Sequence, residues 1–249
     1  MKQFKFTALS LILLGSMTAA QAQAEPWSVG ASLIYSESPY RGGQDRYLPI
    51  PVINYEGEDF WLRSLQAGYY LWKTDQDQLS LTLLGSPQQY DPKDNDLGDM
   101  KALDKRRMTL MGGLTYRHSA DWGTVRTTLV GDVLNNSNGI LWDLTYLYRV
   151  QLGKLGLTPG IGALWNSSNQ NRYYFGVSGN ESARTGIDRY QPDDSWTPYV
   201  ELTADYQFNA QWRGFVSGRY TRLPDEIKDS PMVDKNSQTL LWTGISYSF

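Results

Sequence analysis

The chain carries one histidine and no cysteine among 249 residues, which excludes thiolate nucleophiles, thiolate metal sites and disulfides at the outset. Imidazole is the commonest general base, but hydrolysis needs it to converge with a nucleophile and a carboxylate, or with further imidazoles around zinc. His118 stands alone, beside the turn-forming stretch Ala120-Asp121-Trp122-Gly123. Its expected place is an interfacial position near that turn, away from any catalytic set. Two acidic runs offer hard oxygen ligands: Asp91, Asp94, Asp96 and Asp99, then Asp225, Glu226 and Asp229. Neither has the glycine and glutamate spacing of a calcium-binding EF-hand loop, and no phosphate-cradling glycine loop is present. Solvated loop surface is the expectation for both runs. The reading is therefore of a chain that is not an enzyme, with no catalytic, cofactor-binding or metal residues and no cofactor.

The elements that must position these residues begin with an export address. Lys2 and Lys5 make a basic start, residues 6–14 an apolar stretch, and Ala22-Gln23-Ala24 a small-x-small cleavage site. The apolar stretch is shorter than the roughly 20 residues a membrane-spanning helix needs. Two domains are expected: a cleaved signal peptide at 1–24 and one mature domain at 25–249. Removing Lys2 and Lys5 from the 23 basic residues leaves 21 against 26 acidic ones. That balance gives no basic surface for nucleic acid.

With 17 Tyr, 9 Trp, 7 Phe and 23 Gly at a mean hydropathy of −0.47, the composition is too polar for a helical membrane protein and unusually aromatic for a soluble one. A barrel whose alternate residues face lipid, with aromatic residues at both interfaces, reconciles the two. The C-terminal stretch shows the pattern. Thr239, Leu241, Thr243, Ile245, Tyr247 and Phe249 fall on one face, Gln238, Trp242, Gly244, Ser246 and Ser248 on the other. A terminal phenylalanine ending such a strand resembles the signal read by barrel-assembly machinery.

Alternation recurs through Trp27, Val29, Ala31, Leu33 and Tyr35, through Leu79, Leu81 and Leu83, and through Val200, Leu202, Ala204, Tyr206 and Phe208. The opposite faces carry Arg126, Asp132, Asp143, Arg149, Glu201, Asp205 and Arg219. They must point into a lumen, since Arg or Lys facing midplane lipid costs ~2–4 kcal/mol. Acids and bases mix there, so pairing is expected.

Connections alternate between short turns (74–78, 120–123, 152–156, 209–211) and longer loops (90–106, 167–195, 224–237), with 135–139 intermediate. Short turns belong in the periplasm and long loops outside. Eleven candidate strands emerge, whereas both termini in the periplasm demand an even number. Either the segment holding Pro49 and Pro51 is a loop and the barrel has ten strands, or one strand is hidden and it has twelve. The fold class is all-β: a transmembrane antiparallel up-and-down β-barrel of the bacterial outer membrane, about 10–12 strands, surrounded by outer-membrane lipid and lipopolysaccharide. Lipopolysaccharide phosphates sharing divalent ions are the alternative use for the acidic runs.

Five stretches then carry a family resemblance, in order along the chain: Pro51-Val52-Ile53-Asn54-Tyr55-Glu56-Gly57, Asn135-Asn136-Ser137-Asn138-Gly139, Tyr173-Tyr174-Phe175-Gly176-Val177-Ser178, Glu181-Ser182-Ala183-Arg184-Thr185-Gly186 and Asp229-Ser230-Pro231-Met232-Val233-Asp234. They resemble the signature stretches of the MipA/OmpV family. Glu37-Ser38-Pro39-Tyr40-Arg41-Gly42 leans toward a paralogous branch. Physically the same residues suit loop structure: Asp229-Ser230-Pro231 forms turns, Asn138-Gly139 suits positive φ, and Tyr173 to Phe175 would extend an outer aromatic girdle.

The resemblance implies a non-catalytic scaffold for peptidoglycan sacculus growth. Such a scaffold brings a murein hydrolase, a lytic transglycosylase, together with a bifunctional penicillin-binding protein. It specifies no partner-binding residues; the periplasmic turns or the N-terminal segment are the expected contacts. The alternatives are a narrow channel for small polar solutes or antibiotics, and a surface adhesin acting through residues 167–195.

Overall fold

The computed structural model describes residues 26–249. The expected signal peptide, 1–24, lies outside the described residues. The chain forms β1 (Trp27–Ser36), β2 (Arg46–Glu56), β3 (Phe60–Arg63), β4 (Gln66–Lys73), β5 (Asp77–Ser86), β6 (Thr109–Ala120) and β7 (Gly123–Asp132). It continues through β8 (Ile140–Leu147), β9 (Val150–Leu152), β10 (Leu155–Asn166), β11 (Ser195–Gln207), β12 (Trp212–Arg222) and β13 (Ser237–Ser248). Neighbours in sequence pair antiparallel, and β13 closes the ring on β1 with Ser28 opposite Ser248 and Ser36 opposite Leu240.

β8 and β9 form one stave, both lying against β10. Their break has a cause in Pro159. This residue accepts the Tyr148 N–H but has no N–H to return. The result is a closed up-and-down barrel of twelve staves in the outer membrane.

The hidden strand lies in residues 60–72, whose sequence reads as one strand. It is a hairpin of β3 and β4 turning at Ser64 and Leu65, with Ser64 in the left-handed region at φ +50°. Pro49 and Pro51 are inside β2, so of the two expected counts, ten with that segment as a loop or twelve with a hidden strand, twelve holds. Antiparallel backbones alternate the side to which their groups point. The Glu56 N–H donates to Pro26, on the β1 side, while the Ile53 carbonyl accepts from Ser64, on the β3 side. Pro49 and Pro51 share the parity of Ile53, but β3 pairs only with residues 54–56. Their missing donors therefore lie on an edge with no strand beyond it, where no ladder bond is lost.

Outward faces carry Leu81, Leu83, Leu114, Leu129, Val200, Leu202, Val216 and Ile245, all exposed. Trp27, Trp72, Trp122, Phe208 and Trp212 ring the short-turn end, and Tyr47, Trp142, Trp196 and Tyr220 the long-loop end. These are the two aromatic girdles of a membrane barrel. Inward faces build an apolar belt from Leu84, Met111, Val130, Leu141, Leu164 and Tyr199, continued by Ile34 and Leu240 packed with Leu48, Ile50 and Trp242.

Candidate functional site: the capped mouth and the charged lumen

The long loops do not hang free. Tyr40 comes from the β1–β2 loop, Tyr90, Met100 and Leu103 from β5–β6, Tyr174, Phe175, Val177 and Ile187 from β10–β11, and Leu223, Ile227, Met232 and Val233 from β12–β13. Together they form one buried cluster. Because those loops leave the wall at separate points around the ring, a shared core requires them to arch over the outer mouth. The hub is the end of α1 (Ser168–Phe175). The Tyr174 carbonyl accepts from the Tyr40 hydroxyl at 3.2 Å, the Tyr174 hydroxyl donates to the Arg107 carbonyl at 3.0 Å, and the Phe175 carbonyl accepts from Ser230 at 2.6 Å. Burial pushes the Tyr40, Tyr90 and Tyr174 phenols well above their ordinary range, so they stay neutral donors.

A second short helix, α2 (Gly179–Thr185), locks the cap. Ser178 and Glu181 make a reciprocal capping box, and Gly186 ends the helix in the left-handed region at φ +74°. The Glu181 carboxylate also accepts from the Asp104 N–H at 3.0 Å and from Arg106 at 2.7 Å. Burial alone would raise this carboxyl. The backbone donors of Ser178 and Asp104, together with the Arg106 guanidinium, outweigh it and hold the group below the usual carboxylate range.

The loop of residues 133–139 wraps the Asp132 carboxylate, which accepts from the N–H groups of Leu134, Ser137 and Asn138. Positive φ falls at Asn135 and Asn138, and not at Gly139. Gly139 is needed for space, since a Cβ there would meet Gln170 Oε1 at 2.3 Å.

Below the cap and belt, the lumen charges pair as expected. Arg219 meets Glu201 at 2.5 Å, Arg149 meets Asp205 at 2.8 Å, and Arg126 approaches Asp143 at 3.7 Å. Tyr199 joins two of these pairs, donating to Asp143 at 2.7 Å while Arg219 stacks 4.0 Å over its ring. Asp132 is the exception, spent on the loop above it. Room for the network comes from β10: a Cβ at Gly156 would meet the Arg149 guanidinium at 2.2 Å, and one at Gly162 the Tyr199 ring at 2.5 Å.

Nearer the periplasmic end, Glu56 accepts from Arg63 at 2.9 Å, Lys73 at 2.9 Å and the Tyr70 hydroxyl at 2.6 Å. Arg117 on β6 lies directly opposite Arg126 on β7, both inward, and donates to Ser119 at 3.2 Å. The sequence reading did not single out Glu56, Arg63, Lys73, Tyr70 or Arg117 as a group. Their signal was hidden by the unrecognised β3–β4 hairpin.

His118 occupies the expected interfacial position. It faces outward beside the turn, its Nδ1 2.8 Å from Asp77 and its ring 5.7 Å from Trp122. The acidic run of the β5–β6 loop is ion-paired rather than merely solvated: Asp91 with Lys105, Asp94 with Arg46, Asp99 with Arg41. In the second run Asp225 pairs with Lys228. Among the described residues, no group of three or more His, Asp or Glu side chains is placed to hold a metal ion. Tyr174 and Phe175 are buried in the cap, correcting their assignment to a girdle.

A family model described as MltA-interacting protein MipA matches residues 29–249. The chain is 49% identical to the MltA-interacting protein of Escherichia coli K12 over 249 residues, covering all of both chains. To the putative outer membrane protein YiaT of Escherichia coli O157:H7 it is 42% identical over 230 residues, 92% of this chain and 94% of that one. Among solved structures it resembles the NanC porin, with a TM-score of 0.51 at 9% identity over 89% of this chain and 100% of that one. That last likeness is one of fold.

Proposed function

We propose a function from one premise: the chain belongs to the MltA-interacting protein MipA family. It is a non-catalytic outer-membrane scaffold that holds a lytic transglycosylase beside a bifunctional penicillin-binding protein, coupling cleavage of the murein sacculus to its growth. The observation that carries this reading is the cap. Four outer loops spend their apolar side chains on one another, and buried apolar side chains line the wall beneath them, so the end of the barrel left to act is the periplasmic one. Murein lies on that side.

The working surface is then the set of short connections at residues 57–59, 74–76, 121–122, 153–154 and 208–211, with the charged mouth they surround. Tethering raises the effective concentration of one enzyme near the other, to the millimolar range for a close tether, without new chemistry. The cap and belt count against the channel reading, which requires an open path.

The test is affinity capture from detergent-solubilised envelopes on the immobilised mature protein. Retention of a lytic transglycosylase together with a penicillin-binding protein supports the scaffold. Failure to retain either by a folded barrel overturns it and turns attention to conductance.

A further inference from the structure

The short β3–β4 hairpin leaves a window in the barrel wall. β2 pairs with β3 only through residues 54–56, and β5 pairs with β4 no higher than Leu84. Above the turn at Ser64 and Leu65, no strand among the described residues stands between residues 46–53 of β2 and the end of β5. At the level of the hairpin those two strands are three spacings apart, roughly 14 Å. The lower rim is tied on both sides, the Ser64 N–H donating to the Ile53 carbonyl at 2.8 Å and the Gly85 N–H to the Leu65 carbonyl at 3.0 Å. The upper rim is a contact between two loops. Gly43 bridges to Asn95, the Asp96 N–H donates to the Gly42 carbonyl at 3.2 Å, and Asn95 Nδ2 donates to the Arg41 carbonyl at 2.7 Å. From Tyr47 in the outer girdle down to Ile53, the opening runs along a tilted strand for about 15 Å, the depth of one leaflet of the hydrocarbon core.

Two properties of the window select its occupant. Its inner wall is apolar: Leu48 and Ile50 point into the lumen and pack with Ile34, Leu240 and Trp242, yet they stay only partly buried, whereas Leu141 and Leu164 behind complete staves are buried. Its β2 edge is rich in acceptors and poor in donors. Tyr47, Pro49 and Pro51 share the parity of Ile53 and turn their carbonyls into the gap, while the two prolines have no N–H to offer. Carbonyls at this depth need donors, since hydrocarbon supplies none. A further β-strand does not suit the edge, because its own carbonyls would face the prolines. An acyl chain whose linkage carries N–H or O–H groups suits both surfaces. The amide-linked, hydroxylated chains of lipopolysaccharide have that chemistry, and the window is continuous with the lipid-facing wall just below the outer girdle.

We infer that the window between β2 and β5 is a binding site for one acyl chain of an outer-leaflet lipopolysaccharide, which lies against Leu48 and Ile50 while its amide or hydroxyl donates to the carbonyls of Pro49 and Pro51. The site stands apart from the scaffold reading, which concerns the opposite end of the barrel.

The experiment uses the absence of cysteine from the chain, so that one introduced cysteine carries one fluorophore. Leu48→Cys reports the inner wall of the window, Ile53→Cys the lipid-facing wall beside it, and Leu141→Cys the lumen behind complete staves. The folded mature protein is placed in vesicles of phosphatidylcholine with brominated acyl chains, which quench on contact and carry no N–H or O–H donor. Quenching is expected at Leu48 and Ile53 and not at Leu141. Adding lipopolysaccharide with unbrominated chains is expected to protect Leu48 and leave Ile53 quenched, with a preference over phosphatidylcholine of about tenfold, the worth of two net hydrogen bonds.

A second variant closes the window. A Cβ at Gly85 would meet nothing nearer than the Leu65 carbonyl oxygen at 3.7 Å, so Gly85→Phe has room to fill the gap from the β5 side. It is expected to bring quenching at Leu48 down to the Leu141 level. Leu65→Trp narrows the gap from below and is expected to do the same, and heat-modifiable migration confirms a closed barrel in each variant. The site is overturned by quenching at Leu48 no stronger than at Leu141, by quenching that persists in both filled variants, or by lipopolysaccharide that protects Leu48 no better than Ile53. A dimer crosslinked through β2 in the same vesicles assigns the edge to a second copy and overturns it as well.

Discussion

Glu181 and Arg106 meet at 2.7 Å beneath the outer cap, both almost fully buried, and tie the β10–β11 loop to the β5–β6 loop. The pair is closed by a capping box on one side and by the Gly176 carbonyl on the other, which accepts from Arg106 at 3.1 Å. Removing one partner of such a pair strands a buried charge, at a cost of about 3–5 kcal/mol. Glu181→Gln is therefore expected to loosen the cap while the barrel stays closed. Limited proteolysis should cut within residues 167–194 of the variant far faster than in the wild type, with heat-modifiable migration unchanged. Equal cutting rates would show that the pair does not hold the cap.

The same carboxylate makes the cap pH-dependent. Its folded value lies below its unfolded one, so its contribution is complete above the ordinary glutamate value of about 4.3 and is lost as pH falls through the lowered folded value. Amide exchange protection in residues 167–194 is expected to hold steady from neutral pH down to about 5 and to fall below that. In Glu181→Gln this acid step should vanish.

The mid-lumen pair Arg219 and Glu201 tests whether buried charges stabilise the barrel or only satisfy one another. Glu201→Gln leaves Arg219 stacked on Tyr199 without its carboxylate, and urea unfolding in lipid vesicles should show a loss of about 3–5 kcal/mol. Replacing both by Met removes the desolvation cost along with the attraction, and is expected to cost far less. A double variant as damaged as the single one would mean the pair contributes net stability.

The prolines of β2 carry a prediction of their own. Pro49→Val with Pro51→Val restores two N–H groups on an edge that no strand covers above Ile53. In lipid an unsatisfied backbone group costs several kcal/mol, so the monomer is expected to lose stability or to pair edge to edge with a second copy. Crosslinking in vesicles reads the second outcome and urea unfolding the first. A stable monomer would show that the edge is already satisfied by water.

Much of this was legible from residue order. Strict alternation gave nearly every face of the wall, and the lipid cost of charge placed Arg126, Asp143, Arg149, Glu201, Asp205 and Arg219 inside before any geometry was known. The strand count was not legible because the β3–β4 turn uses Ser64 and Leu65, with none of the Gly, Pro, Asn or Asp that mark turns most strongly, and Ser64 takes a positive φ without being glycine or asparagine. The cap was not legible either. Its core joins residues as far apart as Tyr40 and Met232, and short apolar islands in loops have no period from which burial can be read. The prolines, by contrast, were informative once their side was known. Pro49, Pro51 and Pro159 each mark a place where pairing stops.

The loop cluster and the inward apolar belt lie in series along the lumen, and that makes conductance decisive. Tyr174 is the fully buried hub of the cap, and Tyr174→Ala should cost about 3–5 kcal/mol of cap stability, as large aromatic truncations do. The belt of Leu84, Met111, Val130, Leu141 and Leu164 is formed by strands rather than loops, so it survives loosening of the cap. In planar bilayers the wild type and Tyr174→Ala are both expected to show no discrete conductance steps, even though the variant's loops become protease-sensitive. Adding Met111→Ala and Leu141→Ala to Tyr174→Ala should open steps, because both barriers are then breached. Steps in the wild type would mean that cap and belt part spontaneously, and would favour solute passage over scaffolding. Steps in Tyr174→Ala alone would mean that the belt does not close the lumen and the cap is its one gate.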